Sequence, residues 1–188
     1  GLELIRFLHQ HKEVESLQLF SSSEAGESFS AKYPHLEGLY DAPMEAIDEA
    51  AITKLDVVFA STPAGVTSKL LPSLVNKGTK LIDLSGDFRL QDRALYEEWY
   101  GKEAAPADTL SQSVYGLTEW NADAVKDAAL VANPGCYPTA VLLSLLPLIK
   151  HRLIDPSFLV IDAKSGVSGA GNKPSQGTHF SETNENFS

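Results

Sequence analysis

The sequence is poor in cysteine and in basic residues, and it has no long apolar run. A single cysteine, Cys136, in 188 residues excludes an intramolecular disulfide and suits a reducing, cytoplasmic setting. Lys and Arg number 15 against 25 Asp and Glu, for a formal charge of −10. Nucleic-acid binding needs a clustered basic surface to neutralise phosphates, and none is visible, so no nucleic-acid partner is expected. A small anion needs only a few local donors and stays open as a ligand. The longest apolar run, 140–149, is too short for a bilayer and contains Ser144 and Pro147, which predicts no membrane span. No charged-then-apolar leader opens the chain. No His/Cys/Asp group has metal-ligand spacing, so no metal is expected.

What is present is a globular composition, 43% hydrophobic and 21% charged, long enough for one domain or one and part of a second. Residue 1 is Gly, and 2–11 already reads as the middle of a helix, with Leu4, Ile5 and Leu8 at helical spacing. The last residues, 178–188, stop in a polar stretch. Both ends therefore predict a longer protein.

Along the chain, 14–20 reads as a strand and 21–38 as a polar loop region with a short helix. Residues 57–60 form a continuous apolar run, the pattern of a strand buried on both faces. Residues 66–76 read as a helix with Pro72 inside it, stopped by Gly78. A strand follows at 79–84, a helix at 93–100, and then a loop region to Trp120. Asn121 is placed to cap a short helix through Lys126, and 130–132 is another strand. Strands alternating with helices predict an α/β fold with a parallel sheet, and ligands at the carboxyl ends of its strands. Those ends carry Ser21-Ser22-Ser23, Thr62-Pro63-Ala64-Gly65, Ser85-Gly86-Asp87 and Asn133-Pro134-Gly135-Cys136. Small polar residues there suit close approach to a bound molecule, and they are also ordinary turn chemistry.

The pattern changes near residue 134. An apolar helix at 139–150 is followed by a predicted strand at 158–163 and a glycine-serine loop, 165–171. This gives two expected domains, 1–133 and the incomplete 134–188.

Cys136 lies between a strand and a helix, with Pro138 pre-set for a first turn. The positive end of a helix dipole favours a thiolate, and unpartnered first-turn amides can hold an oxyanion on a carbonyl under attack. Asn133 would add a side-chain donor. A buried structural cysteine is the plain alternative. Arg89 offers a bidentate fork for a carboxylate or phosphate, or a salt bridge to Asp87 or Asp92. Among the histidines, His179 follows the glycine-serine loop and is the candidate to approach a site; His9, His11, His35 and His151 read as structural or surface residues. Gly1 could end a phosphate loop. An acid is usual at the end of the second strand of an NAD-binding fold; Ser21 to Ser23 stand there instead, which leaves room for a 2′-phosphate and tilts the choice to NADP. A cysteine hydrolase uses the same thiolate without a dinucleotide.

Five stretches resemble the N-acetyl-γ-glutamyl-phosphate reductase family. They are 85–89, 115–119, Asn133-Pro134-Gly135-Cys136-Tyr137-Pro138-Thr139, 162–171 and 177–182. Aspartate-semialdehyde and glyceraldehyde-3-phosphate dehydrogenases are relatives that look less like this chain around the cysteine. The resemblance implies a Rossmann-like NADP-binding domain followed by the start of an α+β catalytic domain with a mixed sheet. It implies NADPH-dependent reduction of N-acetyl-γ-glutamyl phosphate in arginine biosynthesis, through a thioester on Cys136, with phosphate released. Thr62, Pro63, Gly65, Ser85 and Gly86 would lie along the cofactor, as would Ser165, Gly166, Ser168 and Gly169. A homodimer or homotetramer is implied. The family's glycine-rich loop would precede Gly1, and its general-base histidine would follow Ser188, leaving His179 as a neighbour of the site. Without that base the given residues should turn over slowly, since acid–base help is worth ~10²–10⁴-fold.

Overall fold

The computed structural model describes residues 1–166 and residue 169. The chain divides into two compact units, 1–134 and 135–188.

The first unit is built on four parallel strands in the order β1-β2-β4-β3. They are β1 (Val57–Ala60), β2 (Lys80–Asp83), β3 (Ser113–Tyr115) and β4 (Leu130–Ala132). Phe59 pairs with Ile82, Ile82 with Val131, and Val131 with Val114, so one register runs across the sheet. The unit also contains the helices α1 (Leu2–His9), α2 (Phe29–Lys32), α3 (Glu49–Ile52), α4 (Thr67–Leu70), α5 (Arg93–Tyr100), α6 (Ala107–Leu110) and α7 (Thr118–Asp127). The core is Leu71, Leu74, Leu81, Phe88, Ala105, Leu110 and Leu130, all at most 1% exposed. Among the described residues, no helix is long and apolar enough to cross a membrane.

Several expectations need correction. Residues 14–20 form no strand; only an isolated parallel bridge, Phe20 to Glu45, is made. Val14, Leu17, Leu19 and Phe20 are only half-buried, so the segment lacks the packed face that sustains a strand. β1 is not buried on both faces, since it lies at one edge of the described sheet with Val57 43% exposed. The helix expected over 66–76 is α4 followed by a 3₁₀ turn, Leu71–Ser73, because Pro72 supplies no N–H to continue it. β3 lies within the loop region expected up to Trp120: three residues carry no period, and pairing with β4 makes the strand. Asn121 does not cap a helix. It is a kink inside α7, φ −116°, and its amide donates to the Tyr115 carbonyl at 3.0 Å.

Helix α5 shows how the sequence sets both ends. The Asp92 carboxylate accepts from the amides of Ala94 and Leu95 at 2.9 and 3.3 Å. Gly101 closes the helix in the left-handed conformation, φ 61°.

One carboxylate ties the unit together. Asp87, 0% exposed, accepts from the amides of Gly65 and Ser68 at 2.9 Å, from the Thr67 hydroxyl at 2.8 Å and from the Tyr96 hydroxyl at 2.7 Å. Asp83 serves the next loop, accepting from Ser85 N at 3.0 Å, Ser85 Oγ at 2.7 Å and Gly86 N at 3.2 Å. Burial alone would push the Asp87 carboxyl up, but the hydrogen bonds from Tyr96, Gly65, Ser68 and Thr67 outweigh it and hold the group below its ordinary value. Burial and the bond to Asp87 push the Tyr96 phenol up.

The second unit begins with α8 (Cys136–Lys150), fifteen residues long with Pro147 inside. The helix starts three residues earlier than expected, so Cys136 is its first residue. Residues 158–163 form no strand: Phe158, Val160 and Ile161 are 83%, 84% and 58% exposed, and among the described residues nothing pairs with them. No mixed sheet is present among the described residues of this unit.

Two outcomes follow from this packing. Asp87→Asn should destabilise the first unit by about 2–4 kcal/mol at pH 7, because an amide cannot accept all these bonds. The wild-type advantage belongs to the ionised carboxylate. It is full above the unfolded value near ~3.9 and disappears as pH falls toward the lower folded value. Urea unfolding at pH 7 and at stepwise lower pH should show the two proteins converging below about pH 4. Gly116→Ala should cost about 1–3 kcal/mol in thermal unfolding, since a Cβ there would lie 2.8 Å from Cγ1 of Val131 and 3.2 Å from the Ala132 carbonyl.

Candidate active site

All strands run parallel, so the loops after β1, β2, β3 and β4 share one edge of the first unit. The structure brings together Thr62, Pro63 and Gly65 with Ser85, Gly86, Arg89 and Asn133, but it gives them different tasks.

Gly65, φ +87°, turns its amide inward to Asp87. The start of α4, where a ligand anion would otherwise be held, is thus filled by the protein's own carboxylate. The outer side of the turn differs. The three atoms nearest a Cβ built on Gly65 would all belong to the side chain of Lys102, the first being Cδ at 3.5 Å. Thr62 is half-buried and Pro63 exposed, so this face is open to a ligand.

Ser85 and Gly86 face protein. The Ser85 hydroxyl is shared between Asp83 and Thr67, at 2.7 and 2.6 Å. A Cβ on Gly86, φ +106°, would lie 3.0 Å from Nη1 of Arg89 and 3.1 Å from the ring and hydroxyl of Tyr100. That close approach is taken by side chains of this chain.

Arg89 does not form the expected salt bridge with Asp87 or Asp92. Its Nε donates to the Asn133 carbonyl at 2.7 Å, Nη2 to the Leu84 carbonyl at 3.3 Å, and Nη1 to the Tyr100 hydroxyl at 3.5 Å. The fork offered to a ligand anion instead clamps the ends of β2 and β4. Tyr100 stacks on Tyr96 with ring centroids 4.7 Å apart. Burial pushes the Tyr115 phenol up, against the pull of the Arg89 charge. The side-chain amide of Asn133 donates to Pro134 O at 3.1 Å.

Among the described residues, the hydrogen bonds of Gly1 and Ser21 do not reach this group. Gly1 is the exposed cap of α1, its carbonyl accepting from Ile5 N at 3.1 Å. The Ser21 hydroxyl accepts from the amides of Ser23 and Glu24 at 3.4 and 3.1 Å. Glu24, the one acid beside these serines, is paired with Lys32.

In the second unit, Cys136 is exposed at the start of α8. Gly135 caps the helix without a side-chain acceptor, and the amide and hydroxyl of Thr139 return to the Gly135 carbonyl at 3.0 and 2.8 Å. The amides of Cys136 and Tyr137 are first-turn donors with no intrahelical partner, and Pro138 has none to give. Further on, Gly169 N donates to Gly166 O at 3.0 Å, and a Cβ on Gly169 would lie 2.7 Å from Oγ of Ser165. Ser168 and His179 lie outside the described residues. Among the described residues, no three His, Cys, Asp or Glu side chains are grouped to hold a metal ion.

The sequence reading missed Thr67, Tyr96 and Lys102. Thr67 and Tyr96 read as ordinary helix positions, and only the folded chain carries them to Asp87. A lysine after a helix-ending glycine reads as solvated surface.

Residues 1–128 match the family described as semialdehyde dehydrogenase, NAD binding domain, and residues 136–188 match semialdehyde dehydrogenase, dimerisation domain. The chain is 54% identical over 186 residues to an N-acetyl-gamma-glutamyl-phosphate reductase of Geobacillus kaustophilus (strain HTA426), covering 99% of this chain and 54% of that protein. It is 54% identical over 188 residues to the protein of that name from Halalkalibacterium halodurans, and 52% to that from Listeria innocua serovar 6a, covering all of this chain and 54% of each relative. The chain therefore spans about half the length of the curated relatives it matches. With an open parallel α/β sheet and an exposed thiol heading the helix after it, the chain belongs to the semialdehyde dehydrogenase family.

Proposed function

We propose that this chain is part of an NADPH-dependent oxidoreductase that reduces N-acetyl-γ-glutamyl phosphate to N-acetylglutamate 5-semialdehyde and releases phosphate, a step of arginine biosynthesis. The observation that carries the reading is Cys136, exposed as the first residue of α8 with uncapped amides beside it. The names of relatives identical at 52–54% over the whole chain support the substrate.

The Cys136 thiolate attacks the acyl carbon, an S–C bond forms, the C–O bond to phosphate breaks, and phosphate leaves with the electron pair. The oxyanion of that addition meets the amides of Cys136 and Tyr137, donors that cost no reorganisation because the helix already holds them. A bound reduced nicotinamide would supply hydride to the thioester carbon; the C–S bond then breaks, releasing the semialdehyde and returning Cys136 as the thiolate. Thr62, Pro63 and Gly65 would hold such a group on the outer side of their turn, where Pro63 is exposed and the flexible Lys102 stem lies beside Gly65. Gly1, Ser21 and the segment Ser165, Gly166, Ser168 and Gly169 are assigned to the cofactor by their motifs. Ser85 and Gly86 act by holding the loop. Asn133 and His179 are assigned to the substrate side, and Arg89 acts there through the Asn133 carbonyl. The match of 136–188 to a dimerisation domain supports a homodimer or homotetramer.

In the intact protein, Cys136→Ser should lower kcat for phosphate-dependent oxidation of the semialdehyde by at least ~10³-fold, while Kd for NADPH stays within about twofold. Undiminished turnover would exclude the covalent role. Fluorescence titration should show NADPH bound at least about tenfold more tightly than NADH, a difference of ~1.4 kcal/mol. Equal affinities would count against the 2′-phosphate reading of the Ser21 corner.

A further inference from the structure

A molecule with a net charge of −10 repels an anionic ligand unless a local cation offsets the field. At the strand-end edge of the first unit, few groups can serve. The amides of Gly65 and Ser68 are spent on Asp87, and main-chain donors bring no net positive charge to the turn after β1. Arg89 has given its fork to two carbonyls.

Lys102 stands apart from these. Gly101 ends α5 with φ 61°, and its amide returns to the Glu97 carbonyl at 3.0 Å. That reversal lays the stem of Lys102 over the Thr62–Gly65 turn, with Cδ and Cγ at 3.5 and 3.7 Å from where a Gly65 Cβ would be. The side chain is exposed, and among the described residues no hydrogen bond or ion pair takes its ammonium. Lys102 supplies all three of the atoms nearest to that Gly65 position. A lysine stem can lie along such a surface while its head stays free to follow a ligand.

We propose that Lys102 is a phosphoryl-binding residue. Its ammonium takes the oxygens of a phosphate group seated on the outer face of the Thr62–Gly65 turn. The proposal rests on the dinucleotide reading above and names the residue that offsets the ligand's charge. The cofactor diphosphate and the acyl phosphate of the substrate share this chemistry.

The test uses the intact protein with Lys102→Ala, Lys102→Arg and, as a control for net charge, Lys77→Ala at an exposed position away from this edge. NADPH Kd is read by fluorescence at low and high salt, and KM for inorganic phosphate is read in the oxidative direction. Lys102→Ala should weaken NADPH about three- to tenfold at low salt. The gap should close at about 1 M salt, where screening extends to ~3 Å. Lys102→Arg should restore binding to within about twofold, and Lys77→Ala should leave it unchanged. A raised phosphate KM with unchanged NADPH Kd supports the phosphoryl assignment and gives it to the substrate. If neither constant moves, the proposal is wrong. Wild-type protein that binds no NADPH overturns the dinucleotide reading itself, a result seen before any variant is compared.

Discussion

Asp87 is a carboxylate shut away from water, and the geometry of the strand-end edge depends on it. Burying such a charge costs several kcal/mol unless its lone pairs are met. Here they are met by two amides and two hydroxyls drawn from the turn after β1, from α4 and from α5. None of these pieces can shift alone, because a donor or acceptor left unpaired costs about 1–3 kcal/mol. The positive φ of Gly65 and the placement of Tyr96 on the inner face of α5 are both conditions of the same network. A second carboxylate, Asp83, fixes the following loop through Ser85 and Gly86. Thr67 and Ser85 join the two systems at 2.6 Å.

This construction divides the small polar residues of the edge into two kinds. Thr67, Ser85 and Gly86 look inward and hold loops. Thr62, Pro63 and the outer side of Gly65 look outward. The protein's own carboxylate takes two amides at the start of α4 and makes the turn rigid. A positive charge to offset an anion on that turn must come from a side chain. Arg89 directs its Nε and Nη2 to main chain, joining Leu84 to Asn133 and hence β2 to β4, and its Nη1 to Tyr100. Charge matching on this edge therefore falls to a residue outside the loops, reached through the chain reversal at Gly101.

The sequence made much of the fold legible and less of the edge. β2, β4 and α5 were readable because apolar runs bounded by turn residues, or an aspartate cap and a glycine stop, carry their own local signal. β3 was not, because Ser-Val-Tyr is a strand only through its pairing with β4. Residues 14–20 and 158–163 show the converse: β-prone side chains without a neighbouring strand among the described residues form no strand, and 14–20 makes only the single bridge from Phe20 to Glu45. Cys136 could be singled out because its neighbours form a specific motif. The task of Arg89 could not, since nothing local distinguishes a guanidinium that binds carbonyls from one that binds a ligand. Asp87 in a strand-end turn reads as solvated, and its burial is a tertiary fact.

The glycines show why residue type alone underdetermines a site. Gly65, Gly86, Gly116 and Gly169 all look alike as small residues near a presumed ligand. A Cβ on Gly86 would strike Arg89 and Tyr100, one on Gly116 would strike Val131, and one on Gly169 would strike Ser165. Those three are small so that the protein can touch itself. At Gly65 the nearest atoms belong to the flexible Lys102 stem at 3.5–3.9 Å, so of the four it is the least closely approached by the protein itself. The same reasoning applies to Gly135. As the cap of α8 it supplies no side-chain oxygen, and Pro138 contributes no amide, so the donors of Cys136 and Tyr137 are not consumed by a cap. A serine or aspartate at 135 would stabilise the helix by about 1 kcal/mol and would compete for the donors an oxyanion needs. A weaker helix end is the form that leaves chemistry possible at the thiol.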